Sequence, residues 1–414
     1  LLKLPILLAK GIGRRVYDAL GLEKMGDKFQ ALTINYTFLM VFFTLEMVFV
    51  NTLILRVSGR GIYGVLLYRV FSYAFSAVVM NVVSVFSRKI NPIMAIRVSC
   101  GLYVLLFSVL FIGMERLASF IYFFGALTGM ASGLNFSGHV VLLTNYTTQQ
   151  NRSVGVAVIT VIQGVMALFI PLVFGMVIGF LPGMSGYRVM FGVAMGVVLA
   201  QVSFVRKLTP VHTTQEKGEF KLALGLISRQ LILRVMLVAE FARGMRDGVF
   251  AFFLNIVLFQ IVNSEILVGF NTFLAGSASI SAAWLYGKIG TPRNRAPLVG
   301  ICVSILIVFC SILLFSLSPL TILMFSIINS FLAQMISNST MNNSYDILGS
   351  DDERRSVMAG LLGFREIFLM SGRICGVVVV SLFAAAAEGY VYAMLTLTAI
   401  QYIVAVLLYI AIKL

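Results

Sequence analysis

Gly363-Phe364-Arg365-Glu366-Ile367-Phe368-Leu369-Met370-Ser371-Gly372-Arg373-Ile374-Cys375-Gly376 places three ionisable groups inside the apolar run 357–386. That run is long enough to cross a hydrocarbon core about 30 Å thick, which needs roughly 20 residues. An ionised group near the centre of a spanning helix costs ~2.5 to 3.5 kcal/mol on insertion scales, so it faces a partner or a polar space and rarely lipid. Two questions follow: what surrounds this helix, and what do its charges meet?

The composition supplies the setting. The chain is 60% hydrophobic and 11% charged, with a mean hydropathy of +1.00, whereas soluble domains carry about 25% charged residues. This predicts an all-α polytopic membrane protein. A net charge of +15 would suggest nucleic acid in a soluble protein, but here its placement between loops gives it meaning, and no nucleic-acid partner is expected. Cys100, Cys302, Cys310 and Cys375 are scattered without a CxxC, so neither a metal site nor a disulfide framework is predicted. With two histidines and no HExxH, GxSxG or GxxxxGK[ST] motif, the usual hydrolase and nucleotide-binding motifs are missing. Neither enzymatic activity nor a cofactor is expected.

Residues 1–30 alternate leucines and isoleucines with Lys3, Lys10, Arg14, Arg15, Lys24 and Lys28. They read as an amphipathic arm on an anionic membrane face. Apolar runs then recur at 31–55, 61–86, 93–114, 117–145, 154–181, 187–208, 235–262, 266–287, 297–317, 320–347, 357–386 and 390–412, which predicts twelve transmembrane helices. Of the 31 Lys and Arg, 22 fall on the side that holds both termini, four on the opposite side and five inside helices. Basic residues are retained in the cytoplasm, so both termini are expected there.

The hydrophilic connection between helices six and seven divides the chain into a six-helix bundle at 31–208, a basic cytoplasmic linker at 209–234 and a second bundle at 235–414. The bundles repeat. Asn51 and Asn255 lie 204 apart, Arg152-Ser153-Val154 and Arg355-Ser356-Val357 lie 203 apart, and Pro92 and Pro292 lie 200 apart. A near-constant offset predicts a parallel duplication, with two pseudo-symmetric six-helix bundles.

Several side chains carry possible function. Glu46 lies ~22 Å into helix one and Arg69 ~12 Å into helix two from the opposite face, at 1.5 Å per residue, a depth at which they can pair. Glu240, Arg243 and Asp247 share one face of helix seven, and Arg246 needs a different partner. In helix eleven Glu366 and Arg373 share a face, while Gln163 stands at the position of Glu366 in the first half. Asn338 and Asn342 mark a polar face of helix ten, and Asn135 and His139 lie on helix four. The bland readings are static ion pairs for the charges and a packing role for His139. The spacing of Gly125, Gly129 and Gly133 in helix four permits close backbone contact.

Twelve spans, a basic central loop and two parallel halves resemble the major facilitator superfamily of secondary transporters over about residues 31–412. The loop Gly287-Lys288-Ile289-Gly290-Thr291-Pro292-Arg293-Asn294-Arg295 is similar to the family's basic loop motif, whereas Ser87-Arg88-Lys89-Ile90-Asn91 departs from it. The Arg that many proton-coupled members carry in helix four is missing here. Helix five, with Gly164, Pro171, Gly175 and Gly179, loosely resembles the Gly-Pro pattern of exporters. Arg243-Gly244-Met245-Arg246-Asp247-Gly248 with Arg365-Glu366 and Gly372-Arg373 is similar to a poorly characterised bacterial branch.

The resemblance implies alternating access in a bacterial plasma membrane by a monomer, with a small-molecule substrate, a proton or sodium as coupling ion, and membrane lipids around it. Helices one, four, seven and ten are expected to surround the pathway. Arg373, Arg69, Glu46, Asn338, Asn342 and Asn135 are the expected substrate-binding residues, and a polar solute with an anionic or zwitterionic group is favoured. Glu240, Arg243, Arg246, Asp247, Arg365, Glu366 and His139 are expected to couple or gate. A lipid flippase on the same fold and a transporter-like sensor or structural subunit are the alternatives.

Overall fold

The computed structural model describes residues 26–85, 90–147, 152–210, 219–383 and 389–414. Apart from its last five residues, the amphipathic arm lies outside the described residues. Among the described residues, twelve helices are long and apolar enough to cross a membrane: α1 (Asp27–Val57), α2 (Ile62–Val83), α3 (Pro92–Ala118), α4 (Ile121–Tyr146), α5 (Val158–Phe180), α6 (Ser185–Val205), α7 (Leu231–Val262), α8 (Glu265–Ile289), α9 (Pro292–Phe315), α10 (Pro319–Gly349), α11 (Gly360–Phe383) and α12 (Gly389–Lys413). No strand occurs among the described residues. In lipid a single helix satisfies its own backbone, which an open strand cannot do.

Local chemistry sets the ends. Pro92 and Pro319 occupy first-turn positions where a missing N–H costs nothing. Asn91 accepts from the Ile93 N–H at 2.9 Å, and Ser318 with Thr321 forms a reciprocal capping box. Asn263, at φ 50°, ends α7 in the left-handed region that Asn tolerates. The described part of the linker includes a helix. Residues Glu219–Arg229 form a helix, Phe220 stacks on Phe364 of α11 with ring centroids 4.2 Å apart, and α7 already begins at Leu231.

The two halves are built alike. In each, the second helix packs on the fourth, the third on the sixth and the first on the fifth, while α2 with α11 and α5 with α8 join the halves. The glycines of α4 allow close approach: a Cβ on Gly125, Gly129 or Gly133 would strike the carbonyls of Tyr68, Ser72 and Ser76 in α2. A second stripe escaped the sequence reading. Gly372 and Gly376 of α11 press on the carbonyls of Phe241 and Met245 in α7, and Gly244 of α7 presses on that of Leu369.

The duplication also shows in the defects. α1 is interrupted by a π-turn at Glu46–Val50, and α7 breaks between Phe250 and Phe253. Adding 204 to the π-turn gives 250–254, so both first helices are interrupted at the same place. Such irregular turns free backbone groups and recur at functional positions.

Candidate functional site

Glu46 and Arg69 meet. Arg69 Nη1 lies 3.2 Å from Glu46 Oε1, and both side chains are 1% exposed. The other donors of Arg69 are also engaged: Nε donates to Asn51 Oδ1 at 3.0 Å and Nη2 to the Met47 carbonyl at 3.1 Å. That carbonyl belongs to the π-turn, so the local irregularity supplies an acceptor. Tyr68 donates to Glu46 Oε1 at 2.8 Å and bonds Thr128 of α4 at 2.9 Å. The guanidinium also lies 5.6 Å from the ring centroid of Phe252 in the other half. In this conformation the pair is sealed, with α1, α2 and α4 fixed around it.

α7 and α11 carry a second network. Glu240, 0% exposed, accepts Arg243 at 2.7 Å and Arg365 at 2.7 Å and Ser344 of α10 at 2.8 Å. Arg243 reaches on to Asp247 at 2.7 Å and Arg365 to Glu366 at 2.9 Å. Three carboxylates and two guanidiniums therefore alternate, which compensates charge that the bilayer would otherwise exclude.

Arg246 points away from that network, as its helical position requires. It donates to Asn329 Oδ1 of α10 and to Thr398 of α12, and lies 4.1 Å from the ring centroid of Phe250. No carboxylate pairs with it among the described residues. Next to Asn329 a cavity of about 180 Å³ opens between α7, α8 and α10, with Ala167 of α5 on its wall. Sequence reasoning missed Asn255, Asn271, Ser326, Asn329 and Ser330 as a group, because single amides and hydroxyls spread over three helices make no motif.

Arg373 is half-buried in α11. Its Nη1 approaches Met370 Sδ at 3.6 Å, its Nε has no partner among the described residues, and its guanidinium lies 5.7 Å from the ring centroid of Tyr73 in α2. The Tyr73 hydroxyl donates to the Gly248 carbonyl at 2.8 Å, a bond between the halves.

Asn135, an expected substrate-binding residue, and His139, an expected coupling or gating residue, lie buried inside the first half. Asn135 is fully buried and donates to Ser99 at 3.0 Å; His139 Nδ1 lies 2.9 Å from the Asn135 carbonyl, and its ring meets Tyr36 edge-on. Both are held by α3 and α1 rather than turned toward α10. Asn338 is partly exposed and accepts from Gln334 at 2.9 Å, and Asn342 is exposed. Among the described residues no hydrogen bond joins Asn135 or His139 to Asn338 or Asn342.

One further cluster was not foreseen. At the end of the bundle away from the termini, Arg56 of α1 pairs with Glu265 of α8 at 2.8 Å. Tyr187 of α6 donates to Glu265 Oε1 at 2.8 Å and bonds Thr52 at 2.8 Å. Three helices, α1 and α6 of the first half and α8 of the second, are latched there. As the first residue of α8, Glu265 reads in sequence as a helix-terminal acid that complements the dipole, which hides its bond across the halves.

No family model matches the chain. An uncharacterized protein, YqgE of Bacillus subtilis, is 23% identical over 333 residues, covering 80% of this chain and 76% of that protein. Among solved structures, the nucleoside transporter NupG superposes with a TM-score of 0.69 at 12% identity, over 94% of this chain and 100% of that one. The chain has a major facilitator-type fold. A bacterial homologue of the human lysosomal transporter Spinster, inward-facing and unoccupied, superposes with a TM-score of 0.65 at 13% identity, over 93% of this chain and 96% of that one. On such a major facilitator-type scaffold, the α2–α11 and α5–α8 seams are the surfaces along which the halves meet.

Proposed function

We propose that this protein is a secondary transporter moving a small polar solute by alternating access, in the conformation closed outside and open to the cytoplasm. The observation that carries this reading is the latch of Arg56, Glu265, Tyr187 and Thr52, which joins the halves at the end away from the termini. The excess of Lys and Arg on the terminal side supports cytoplasmic termini, and with them an outward-facing latch. At the cytoplasmic end, Asn342 and Tyr345 of α10 stand exposed, as the lining of an open vestibule would.

A rigid rocking of two bundles needs bonds at the closed end that can break as a unit, and a charged pair backed by a tyrosine suits that role. The network of Glu240, Arg243, Arg365 and Glu366 ties α7, α10 and α11 into one rigid body, so the second half moves without bending. A polar cavity and the inter-half contact of Tyr73 favour passage of a polar solute between the halves over a lipid path along their outside.

The test is a crosslink. Arg56→Cys with Glu265→Cys, oxidised in proteoliposomes, should hold the latch shut and stop solute exchange, and reduction should restore it. Undiminished exchange by the oxidised protein would overturn this assignment of the gate.

A further inference from the structure

The cavity in the second half has a chemistry of its own. Among the described residues its polar wall consists of amides and hydroxyls, without an ionised side chain: Asn255, Asn271, Thr272, Ser279, Ser326, Asn329 and Ser330. Some of these groups are already spent. Asn271 Nδ2 donates to Asn255 Oδ1 at 2.7 Å, and Asn255 Nδ2 donates to Thr272 at 3.1 Å. What remains is specific. Asn271 is 1% exposed and its Oδ1 has no partner, an acceptor whose desolvation is uncompensated until a donor arrives.

The wall offers a donor as well. Because Arg246 occupies Asn329 Oδ1, the Asn329 amide is oriented with Nδ2 as its remaining group, and that group has no partner among the described residues. The hydroxyls of Ser326 and Ser330 likewise bond to nothing there. On the α5 side residue 171 is Pro, so the carbonyl of Ala167, itself on the wall, loses its intrahelical donor.

The duplication explains why space exists here. In the first half Arg69 Nε donates to Asn51 Oδ1, and in the second Asn271 Nδ2 donates to Asn255 Oδ1. The pairs 51/255 and 69/271 are offset by 204 and 202, so the same bond recurs at the same level. In the first half that level is filled by the guanidinium and by Glu46. In the second the position 204 residues after Glu46 is Phe250, which forms part of the cavity wall.

We propose that this cavity is the binding site for an uncharged, multiply hydroxylated solute, with a ligand hydroxyl donating to Asn271 Oδ1 and another accepting from Asn329 Nδ2. A hydroxyl can do both, which matches a wall that offers acceptors and donors together. The 180 Å³ volume is the space of roughly six waters at ~30 Å³ each, the bulk of a small sugar or polyol. An ammonium would be opposed by Arg246 behind Asn329, and a carboxylate would meet the acceptors Asn271 Oδ1 and Ala167 O. The site rests on geometry alone; its meaning as a transport site rests on the function proposed above.

Purified protein is screened by thermal shift and equilibrium binding against glucose, ribose, mannitol and myo-inositol, with gluconate and glucosamine as charged counterparts of one scaffold. At least one uncharged solute should bind, and Asn271→Ala, Ser326→Ala and Ser330→Ala should each weaken it about tenfold. The two serine variants break no bond within the protein, so they report on the site even if Asn271→Ala fails to fold. Binding of the charged solutes alone, binding of none, or binding unchanged in both serine variants would overturn the proposal. A solute that binds in this way but is not moved in proteoliposomes would sink the transport reading and leave the site. Exchange of another solute without polyol binding would do the reverse.

Discussion

At the level of the helix breaks, the two halves have taken opposite courses from one ancestral arrangement. The first half fills the space beside its asparagine with a guanidinium and a carboxylate, and the second leaves amides and hydroxyls around an opening. One level nearer the termini the roles exchange. Adding 204 to Tyr36 and Leu39 gives Glu240 and Arg243, and adding 203 to Ile162 gives Arg365. There the second half carries the charge network, while the first has an apolar recess of about 90 Å³ among Leu32, Tyr36, His139 and Ile159. Charge marks where each half is locked, and its absence marks where each half has room.

The most damaging way to break this comparison is at Arg69. Arg69→Ala leaves Glu46 buried with one tyrosine hydroxyl, and stranding a buried charge costs about 3 to 5 kcal/mol. Thermal unfolding in detergent should show a large loss of stability or no folded protein. Replacing both partners, Arg69→Met with Glu46→Gln, should recover most of the loss because no charge remains to be compensated. If Arg69→Ala unfolds like the native protein, the pair is not what locks the first half.

Glu240 is the matching test in the second half, with a smaller expected effect. Glu240→Ala removes the acceptor shared by Arg243 and Arg365, but each guanidinium keeps a second carboxylate, Asp247 or Glu366. A loss of about 2 to 3 kcal/mol is expected. Glu240→Gln should fall between the two, since it retains Ser344 and one acceptor. An effect equal to that of Arg69→Ala would mean that the network is not redundant, contrary to its geometry.

Much of this was legible in the sequence for one reason: the bilayer makes charge expensive, so every intramembrane Arg, Asp or Glu announces itself. Twelve apolar runs gave the spans, and the spacing of Glu240, Arg243 and Asp247 gave the ladder that forms. The cost of charge also brought Glu46 and Arg69 together on paper. Apart from the Arg56–Glu265 pair at the helix ends, what stayed hidden uses cheaper groups. Asn255, Asn271 and Asn329 reach their cavity from three helices, and amides are common enough in spans to carry no signal singly. Asn135 and Asn338 are 203 apart and alike in type, yet one is buried against Ser99 and the other partly exposed. Burial there depends on how α3 packs, which no local pattern reports. Residues 363–376 illustrate both cases: Arg365 and Glu366 found the partners their charge demanded, and Arg373 did not.

Arg373 and Arg69 are then the sharpest contrast in the molecule. Both are arginines deep in a span; the donors of Arg69 are met by Glu46, Asn51 and Met47, whereas Arg373 has no carboxylate among the described residues and a buried Nε without a partner. A saturated cation contributes to the fold, and removing it hurts the fold. An unsaturated one contributes little there, since its desolvation is already uncompensated. Its position beside Tyr73, whose hydroxyl bonds Gly248 across the halves, puts it at the seam between α2 and α11, which the proposed rocking would rearrange. Arg373→Ala should therefore unfold within about 1 kcal/mol of the native protein while solute exchange falls about tenfold or more, and Arg373→Lys should restore part of the exchange by returning the charge. Native exchange by Arg373→Ala would reduce this residue to packing against Gly248, and a loss of stability as large as that of Arg69→Ala would erase the contrast between the two arginines.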